Sequence, residues 1–319
     1  ARGIVTEVDT ANNTITVGVT TGNFNVGDDL ALFKSQIISA SQETFPSGLW
    51  WIKDRENSNQ HQLVDSVRGN TIASQTPSST KNTTYVPPTG NSVAWCWNSA
   101  NPELSGFNII EYTGDANATQ AIAHGLPGTP EFIITGSQGA TPGGYETFHV
   151  GCTPGKSLTI DSPAAEQTDT RYSGVDATNI TYGSDYNTNG QLMIAYAWTS
   201  VPGYSAFGTY YGNSSADGPV VLTGFKPAFI LYKSTSSSNW HIRDTTRSES
   251  NPAEHTLYPN LTNAEPALAN AGNYVDLLSN GFKLRNADGD QNMSGQTYIY
   301  AAFAEKPAFA KNLSSVNAR

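Results

Sequence analysis

The chain has 319 residues, of which only 14% are charged, and its 27 acidic residues outnumber 17 basic ones. The resulting net charge of -10 argues against a nucleic acid or an anionic membrane surface as partner, because both favour an excess of Lys and Arg. No apolar run reaches the roughly twenty residues that a membrane-spanning helix needs, and two cysteines are too few for a disulfide framework. We therefore expect a solvated exterior protein whose surface consists mostly of neutral polar groups.

Residues 1–35 read as a small β module. The stretch GIVTEVDTANNTITVGV predicts two strands around an Asp/Asn turn, and GNFNVGDDLALF predicts a turn and a third strand. The start carries no apolar signal core, so the sequence reads as a mature protein or as part of a longer chain.

A repeated layout fills most of the remaining sequence. A polar lead-in, a short apolar run, a Gly/Pro turn and a second run occur at 117–137 and again at 214–234. FNIIEYTGD matches FGTYYGNSS through Phe, Tyr and Gly, LTIDSPAAE matches LYPNLTNAE, and TNGQLMIAYAW matches MSGQTYIYAAF. All these matches keep the same order at an offset of about a hundred residues, which predicts a duplicated domain over 105–203 and 204–306.

A third, shorter copy is predicted over 36–104. FPSGLWWIKDRENSNQHQLVDSVRG parallels FKPAFILYKSTSSSNWHIRDTTRSE, and TGNSVAWCW parallels the closing strands. This copy lacks the opening hairpin, so its sheet would have a bare edge close to four tryptophans, Trp50, Trp51, Trp95 and Trp97. We expect cover from residues 1–35 or from a neighbouring subunit, and favour the subunit in a closed homotrimer.

Period-two alternation, without a sustained helical stripe, predicts an all-β fold of tandem antiparallel, jelly-roll-like β-sandwiches. In the last copy, strands are expected near 205–211, 219–223, 228–233, 239–244, 255–259, 281–285 and 297–304. One helical turn could lie at Asn263–Glu265, and 307–319 reads as a tail or linker. Phe132 and Phe229 should both point inward, and Cys96 is expected to be a buried free thiol rather than a bridge to Cys152.

The residues of the last copy also carry a family resemblance. GYSAFGTYYGNSSADGPVVLTGFKPAFILYK, WHIRDTTR, NPAEHTLYPNLTNAE, LLSNGFKLR and SGQTYIYAAFAEKP together resemble the C-terminal repeat of tail-fibre and related virion structural proteins of bacteriophages, especially marine ones. LWWIKDRENSNQHQLVDSVRG with GNSVAWCW is similar to the repeat that often precedes it. The resemblance covers 45–306 and is weaker in 107–199, where TGSQGATPGG replaces the usual Lys-Asn-Arg end of the third strand. It implies an extended, trimeric virion appendage and carries over no catalytic residue.

The sequence offers few candidates for catalysis. His61, Asp65 and Ser66 lie close together, as do His241 and Asp244, but no Gly-x-Ser-x-Gly elbow accompanies them, and neighbours in a strand point to opposite faces. The repeated Asp-x-x-Arg pairs, Asp65/Arg68 and Asp244/Arg247, read as strand-end ion pairs or turn braces. Four acids could be considered for glycoside cleavage, although sequence cannot place them across a groove: Asp161, Glu166, Glu254 and Glu265. No catalytic residue is therefore predicted.

Metal and cofactor sites are also not predicted. Asp288, Asp290 and Asn292 are spaced like the oxygen ligands of a calcium loop, but Met293 and Ile299 occupy the positions where such a loop needs Gly and Glu. A polar turn before a strand is the simpler interpretation. The histidines have no zinc-type spacing, and no cofactor is expected.

Aromatic side chains in loops are the only candidates for ligand contact. Flat rings beside neutral polar groups suit a glycan receptor, and five tyrosines lie in or beside Gly/Thr/Asn-rich loops: Tyr145, Tyr172, Tyr182, Tyr186 and Tyr204. The alternative is that each ring covers its own sandwich.

We therefore expect a bacteriophage virion structural protein, a tail fibre or tail-associated appendage on the particle surface. Its expected partners are other virion proteins and a host cell-surface glycan or receptor, with no nucleic acid and no membrane insertion. A secreted carbohydrate-binding module or adhesin is the first alternative, and a polysaccharide-degrading enzyme the second.

Overall fold

The structure is a computed structural model that describes residues 2–9, 14–21, 47–69, 72–76, 83–84, 91–138, 144–265 and 273–304. The chain divides into two compact units, residues 1–32 and 33–319. The described part is almost all β, with several antiparallel sheets, and fits the predicted β-sandwich class. The predicted exit segment 307–319 lies outside the described residues.

The described residues of the first unit form an antiparallel pair of strands, β1 (Arg2–Asp9) and β2 (Thr14–Thr21). Their register runs from Arg2 opposite Thr21 to Asp9 opposite Thr14. The two strands predicted around the Asp/Asn turn are thus confirmed. The third strand predicted for this module lies outside the described residues.

The first repeat of the second unit forms one described sheet of five strands in the order β6-β5-β4-β3-β7. Its strands are β3 (Gly48–Asp54), β4 (His61–Asp65), β5 (Ile72–Thr76), β6 (Thr83–Thr84) and β7 (Ser92–Asn98). A short helix, α1 (Pro102–Ser105), follows, with Asn101 as N-cap. Among the described strands none pairs with the outer edge of β7, where the longer repeats place their opening strand.

The second repeat consists of two sheets. A six-stranded sheet has the order β13-β12-β11-β10-β16-β8, and a three-stranded sheet has the order β14-β15-β9. The strands are β8 (Phe107–Thr113), β9 (Thr119–Ala123), β10 (Phe132–Ser137), β11 (Glu146–His149), β12 (Lys156–Thr159), β13 (Gln167–Thr168), β14 (Tyr172–Val175), β15 (Asn179–Gly183) and β16 (Leu192–Trp198). A single 3-10 turn spans Ser184–Tyr186.

The third repeat has the same two-sheet plan, with orders β17-β23-β19-β20 and β18-β22-β21. The strands are β17 (Ser205–Tyr211), β18 (Val220–Leu222), β19 (Pro227–Ser234), β20 (His241–Asp244), β21 (Val275–Leu278), β22 (Gly281–Leu284) and β23 (Thr297–Ala304). A short helix, α2 (Gly289–Asn292), precedes β23. Every described strand pairs only within its own repeat, while the exact repeat boundaries stay predictions.

The strand ladders confirm the predicted common order and fix which residues are equivalent. Phe132 lies opposite Trp198, and Phe229 lies opposite Phe303, so the two phenylalanines hold the same place in their sheets. Both are buried, as predicted, at 2% and 1% exposure. The first repeat places Leu49 opposite Trp97 in the same way.

Four details of the prediction for the repeats are corrected by the structure. Tyr112 faces Met193 and Tyr210 faces Tyr298, so the opening strands align through Tyr and Gly, and Phe107 is not the equivalent of Phe207. The strand expected at 255–259 is reduced to one bridge, between Leu257 and Ile242. No helical turn forms at 263–265, and β21 was not predicted because its run YVDLLS is short.

The three repeats share one aromatic core. Trp97 contributes its ring from the first repeat and lies 5.6 Å from the ring of Trp198 and 5.4 Å from that of Phe303. Phe132 stacks near Trp198 at 5.2 Å, and Phe229 lies 5.5 Å from Trp97. Equivalent side chains from all three sheets thus meet in the same cluster.

Contacts between repeats close a ring of three. Asp65 lies opposite Leu49, His149 opposite Phe132 and Asp244 opposite Phe229, so these three residues hold the same place in their repeats. Each of them contacts the closing strand of the next repeat. The contacts are Asp65 with Tyr196, His149 with Tyr300, and Asp244 with Trp95. The first repeat therefore contacts the second, the second contacts the third, and the third contacts the first.

This arrangement changes the argument for a trimer. Trp51, Trp95 and Trp97 are buried to 3% exposure or less within one chain, and only Trp50 is half-buried. The apolar surface that favoured a second subunit is thus covered largely by the other two repeats. Homotrimer formation itself stays a prediction.

Candidate functional site

The five tyrosines predicted as ligand platforms are all buried. Their exposed fractions are between 0% and 8%, for Tyr145, Tyr172, Tyr182, Tyr186 and Tyr204. The rings are therefore covered by the protein itself, which is the alternative interpretation of their position in loops. Whether any of them contacts a ligand is untested, but none offers the open ring face on which that prediction depended.

Three of them, Tyr172, Tyr182 and Tyr186, lie in the core between the two sheets of the second repeat, whereas Tyr145 and Tyr204 lie in the core that the three repeats share. The Tyr182 ring stacks on Tyr112 at 4.5 Å, across the space between the two sheets of the second repeat. The Tyr172 hydroxyl donates to Thr135 Oγ1 at 2.9 Å, and the Tyr186 hydroxyl contacts Thr135 O at 3.2 Å. Burial raises the pKa of Tyr172 and Tyr186 well above the usual value, so both remain neutral donors.

The two Asp-x-x-Arg pairs form the predicted strand-end braces. Arg68 Nε lies 2.6 Å from Asp65 Oδ2, and Arg247 Nε lies 2.6 Å from Asp244 Oδ2. Each aspartate also accepts backbone N–H groups of the following turn, and each arginine reaches back to a carbonyl five residues earlier. The braces extend into the next repeat, because the Tyr196 hydroxyl donates to Asp65 at 2.8 Å.

The histidines considered for catalysis are packed into the core. His61 Nδ1 accepts a hydrogen bond from Trp51 Nε1 at 2.9 Å, and Ser66 Oγ accepts one from the Gly48 N–H. His241 stacks on Tyr232 with ring centroids 5.1 Å apart. The side chains that lie close in sequence are thus directed to different partners, and no Ser–His–Asp relay is formed by these residues.

His149 fills in the second repeat the place of Asp65 and Asp244. Its Nδ1 accepts from Gly151 N–H at 2.9 Å, which leaves Nε2 to donate to Tyr300 O at 3.0 Å. Burial lowers the pKa of His149 from 6.5 to about 4, because the charged ring would lose its hydration. The neutral tautomer is therefore the one that joins the second and third repeats.

We expect this histidine to make the fold sensitive to acid. Because its folded pKa lies below the unfolded value of 6.5, its stabilising effect is complete above pH 6.5 and is lost as the pH falls towards 4. Urea unfolding of the chain and of a His149→Gln variant should show a difference that shrinks by about 1.4 kcal/mol per pH unit in this window. A difference that stays constant from pH 7 to 4 would contradict the prediction.

A buried lysine lies next to the last residue of β3 in the first repeat and of β19 in the third repeat. Lys53 Nζ donates to Asp54 O at 2.6 Å, and Lys233 Nζ donates to Ser234 O at 3.1 Å. Burial lowers the pKa of both lysines to about 8. The equivalent residue of the second repeat is Gly136, and a Cβ there would come within 2.4 Å of the Tyr145 ring. The family resemblance is weaker in 107–199, and this is the repeat in which a glycine replaces the buried lysine.

Three of the four acids considered for glycoside cleavage have structural partners. Glu265 binds Arg55 at 2.6 Å and Arg247 at 2.5 Å, where the third repeat meets the first. Glu166 accepts from the Thr153 N–H at 2.9 Å, and Asp161 accepts from a backbone N–H at 3.2 Å. Glu254 is half-buried.

Sequence reasoning missed one acidic cluster in the second repeat. Glu146 is 3% exposed, accepts a hydrogen bond from the Ser157 hydroxyl and lies 3.3 Å from Arg171. Burial raises the pKa of Glu146 and that of Asp169. Raised carboxyl pKa values are common at functional sites, but Glu146 is enclosed by its own ladder, so the cluster braces the sheet. Glu146 occupies the place of Gln62 and His241, which no sequence match indicated.

The residues of the calcium-like loop form a helix cap. Asp288 Oδ1 accepts from the Asp290 N–H at 2.9 Å and caps α2. The Asn292 amide donates to Asn213 Oδ1 at 2.9 Å and to Asn286 O at 2.6 Å. Within the described residues, no group of three His, Cys, Asp or Glu side chains is arranged to hold a metal ion.

A surface cleft in the third repeat is the best candidate for a binding site. It has a volume of about 370 Å³ and is lined by Ala216, Asn251, Pro252, Tyr274, Asp276 and Arg285. Alternation along β21 buries Val275 and Leu277 and turns Asp276 outward. Arg285 follows β22 directly, and its Nη1 lies 2.6 Å from Asp276 Oδ2.

The wall of the cleft is held by backbone contacts. The Asn251 side chain donates to Leu277 O at 2.9 Å and accepts from the Leu277 N–H at 2.8 Å, so it binds the edge of β21 like a short strand. The Arg285 N–H donates to Tyr274 O at 2.8 Å. Both contacts keep Tyr274 and the Asp276–Arg285 pair on one rigid frame. The sequence reading missed this site because β21 was not predicted.

The described residues thus form an all-β fold with a candidate surface cleft in the third repeat. A family model described as "Domain of unknown function (DUF7483)" matches residues 74–307. The chain belongs to this family, because the match covers more than half of it. No curated protein and no solved structure matches the chain. Among the described residues, no helix has the length and apolar character to span a membrane.

Proposed function

We propose that the chain is a bacteriophage virion structural protein, part of a tail fibre or a tail-associated appendage, that presents a host-adsorption surface. The observation that supports this best is the use of its buried charges. Asp65, Asp244 and Glu265 all brace the junctions between repeats rather than line a cleft. Such a design suits a durable scaffold, and the family resemblance of 45–306 supports placing that scaffold on a virion.

The test is the location of the chain on purified particles. Antibodies against the chain should label phage particles at the tail in immunogold electron microscopy, and mass spectrometry should detect its peptides in gradient-purified particles. Antibodies should also slow adsorption to host cells. Detection only in the culture medium or on the cell surface would contradict the proposal and favour an adhesin.

A secreted carbohydrate-binding module is the second candidate, because the cleft beside Tyr274 combines an aromatic ring with a charged pair. It predicts glycan binding without any particle. The enzyme alternative predicts new reducing ends when the chain is incubated with host capsular or lipopolysaccharide glycans, and our proposal predicts none.

A further inference from the structure

We propose that the cleft of the third repeat binds one ring of a neutral saccharide, an inference that rests on the adsorption function proposed above. Its volume of about 370 Å³ lies in the range of small-ligand sites. One sugar ring and part of a second would fill such a space. The remaining argument concerns the chemistry of its lining.

Part of the cleft lining is apolar. Tyr274, Pro252 and Ala216 line it, and Tyr274 is half-buried, so part of its ring remains open. Among the described residues none hydrogen-bonds the Tyr274 hydroxyl. The C–H groups on one face of a pyranose ring pack well on an aromatic face, and a free hydroxyl beside that face can bind a sugar oxygen.

The lining also carries a donor and an acceptor at fixed spacing. Asp276 Oδ2 and Arg285 Nη1 are 2.6 Å apart, and the Arg285 side chain is 51% exposed. The remaining N–H groups of Arg285 can therefore donate to a ligand while Asp276 accepts from it. Two adjacent hydroxyls of a sugar present this donor and acceptor pattern.

The same pair argues for a neutral sugar rather than an acidic one. Asp276 already neutralises Arg285, so the cleft offers no unpaired positive charge to a carboxylate or sulfate. The chain as a whole has a net charge of -10, which repels polyanions. An acidic glycan would gain little from Arg285 and would approach Asp276 unfavourably.

The second repeat lacks this site although it shares the sheet. In the third repeat, Asp276 on β21 lies opposite Lys283 on β22. In the second repeat, Gly174 on β14 lies opposite Thr181 on β15 and so holds the place of Asp276. By the same register, Gly183 holds the place of Arg285. A Cβ on Gly183 would come within 2.1 Å of a backbone oxygen, so no side chain fits there. One binding site per chain is therefore expected.

The experiment uses the full chain and saturation-transfer NMR with methyl glycosides of glucose, galactose, mannose and N-acetylglucosamine, and with methyl glucuronoside as the acidic probe. At least one neutral glycoside should bind, with a stoichiometry of one in titration calorimetry, and the acidic probe should not. Tyr274→Ala and Asp276→Asn should each weaken binding by about tenfold or more. Tyr274→Phe should keep most of it, because the ring remains.

Tyr211→Ala is the matched control, because Tyr211 is a 69% exposed aromatic residue on β17 that does not line the cleft. It should leave binding unchanged. Absence of binding to every neutral glycoside would overturn the proposal, as would unchanged binding by both cleft variants when far-UV circular dichroism shows them folded. These outcomes leave the virion proposal standing, because particle labelling tests that proposal separately.

Discussion

Replacing Trp97 by alanine is expected to lower the free energy of unfolding by about 3–5 kcal/mol, the usual cost of removing a large aromatic side chain from a core. Trp97 is 3% exposed, and its ring contacts Trp198 of the second repeat and Phe303 of the third. The cavity would open where all three repeats meet. The whole of 33–319 should therefore be destabilised together.

Urea unfolding followed by circular dichroism measures this effect, and Tyr211→Ala is the control. Tyr211→Ala also removes an aromatic ring, but from an exposed position, so it should lower the free energy of unfolding by less than about 1 kcal/mol. A loss for Trp97→Ala as small as that of the control would show that the ring does not hold the repeats together.

Replacing Asp65 by asparagine should cost about 3–5 kcal/mol, because it leaves a buried arginine without its counter-charge. The side chains of Asp65 and Arg68 are 0% and 1% exposed. The carboxylate also accepts the Tyr196 hydroxyl across the junction with the second repeat. The change keeps the shape of the side chain, so the loss reports the charge and its hydrogen bonds.

Asp217→Asn is the matched control for this substitution. Asp217 pairs with Lys283, but its side chain is 86% exposed, so water screens the pair and its loss should cost far less than the loss of the buried pair. Equal losses for Asp65→Asn and Asp217→Asn in the same unfolding assay would contradict a role for the buried brace.

Much of the fold could be predicted from local pattern. Period-two alternation predicted the strands, and the fixed order of the matched segments predicted that the repeats share one strand arrangement. Both signals depend on residues that are neighbours along the chain. The opening-strand alignment was wrong because Phe107 and Phe207 are both apolar and inward, whereas the register follows Tyr112 and Tyr210.

The arrangement of the repeats could not be predicted in the same way. Its determinants are contacts between residues more than a hundred positions apart, such as Trp95 with Asp244. A tryptophan-rich strand indicates that its apolar face must be buried, but it does not indicate whether the same chain or a second subunit buries it. The burial of the loop tyrosines could not be predicted for a related reason. Gly-rich surroundings suggested exposure, but three rings lie between the two sheets of the second repeat and two lie in the core shared by the repeats.

The candidate site was missed because it depends on a short strand. Asp276 and Arg285 are nine positions apart and are brought together only by the β21–β22 hairpin. Neither residue stands out in the sequence. Their pairing becomes visible only when the register is known.

The central claim is that the three repeats form one cooperative unit around a shared core, and differential scanning calorimetry of the full chain and of Trp97→Ala tests it most directly. We predict one main transition, with equal calorimetric and van't Hoff enthalpies, that moves as a whole to lower temperature in the variant. Separate transitions for the repeats, of which Trp97→Ala shifts only one, would contradict it.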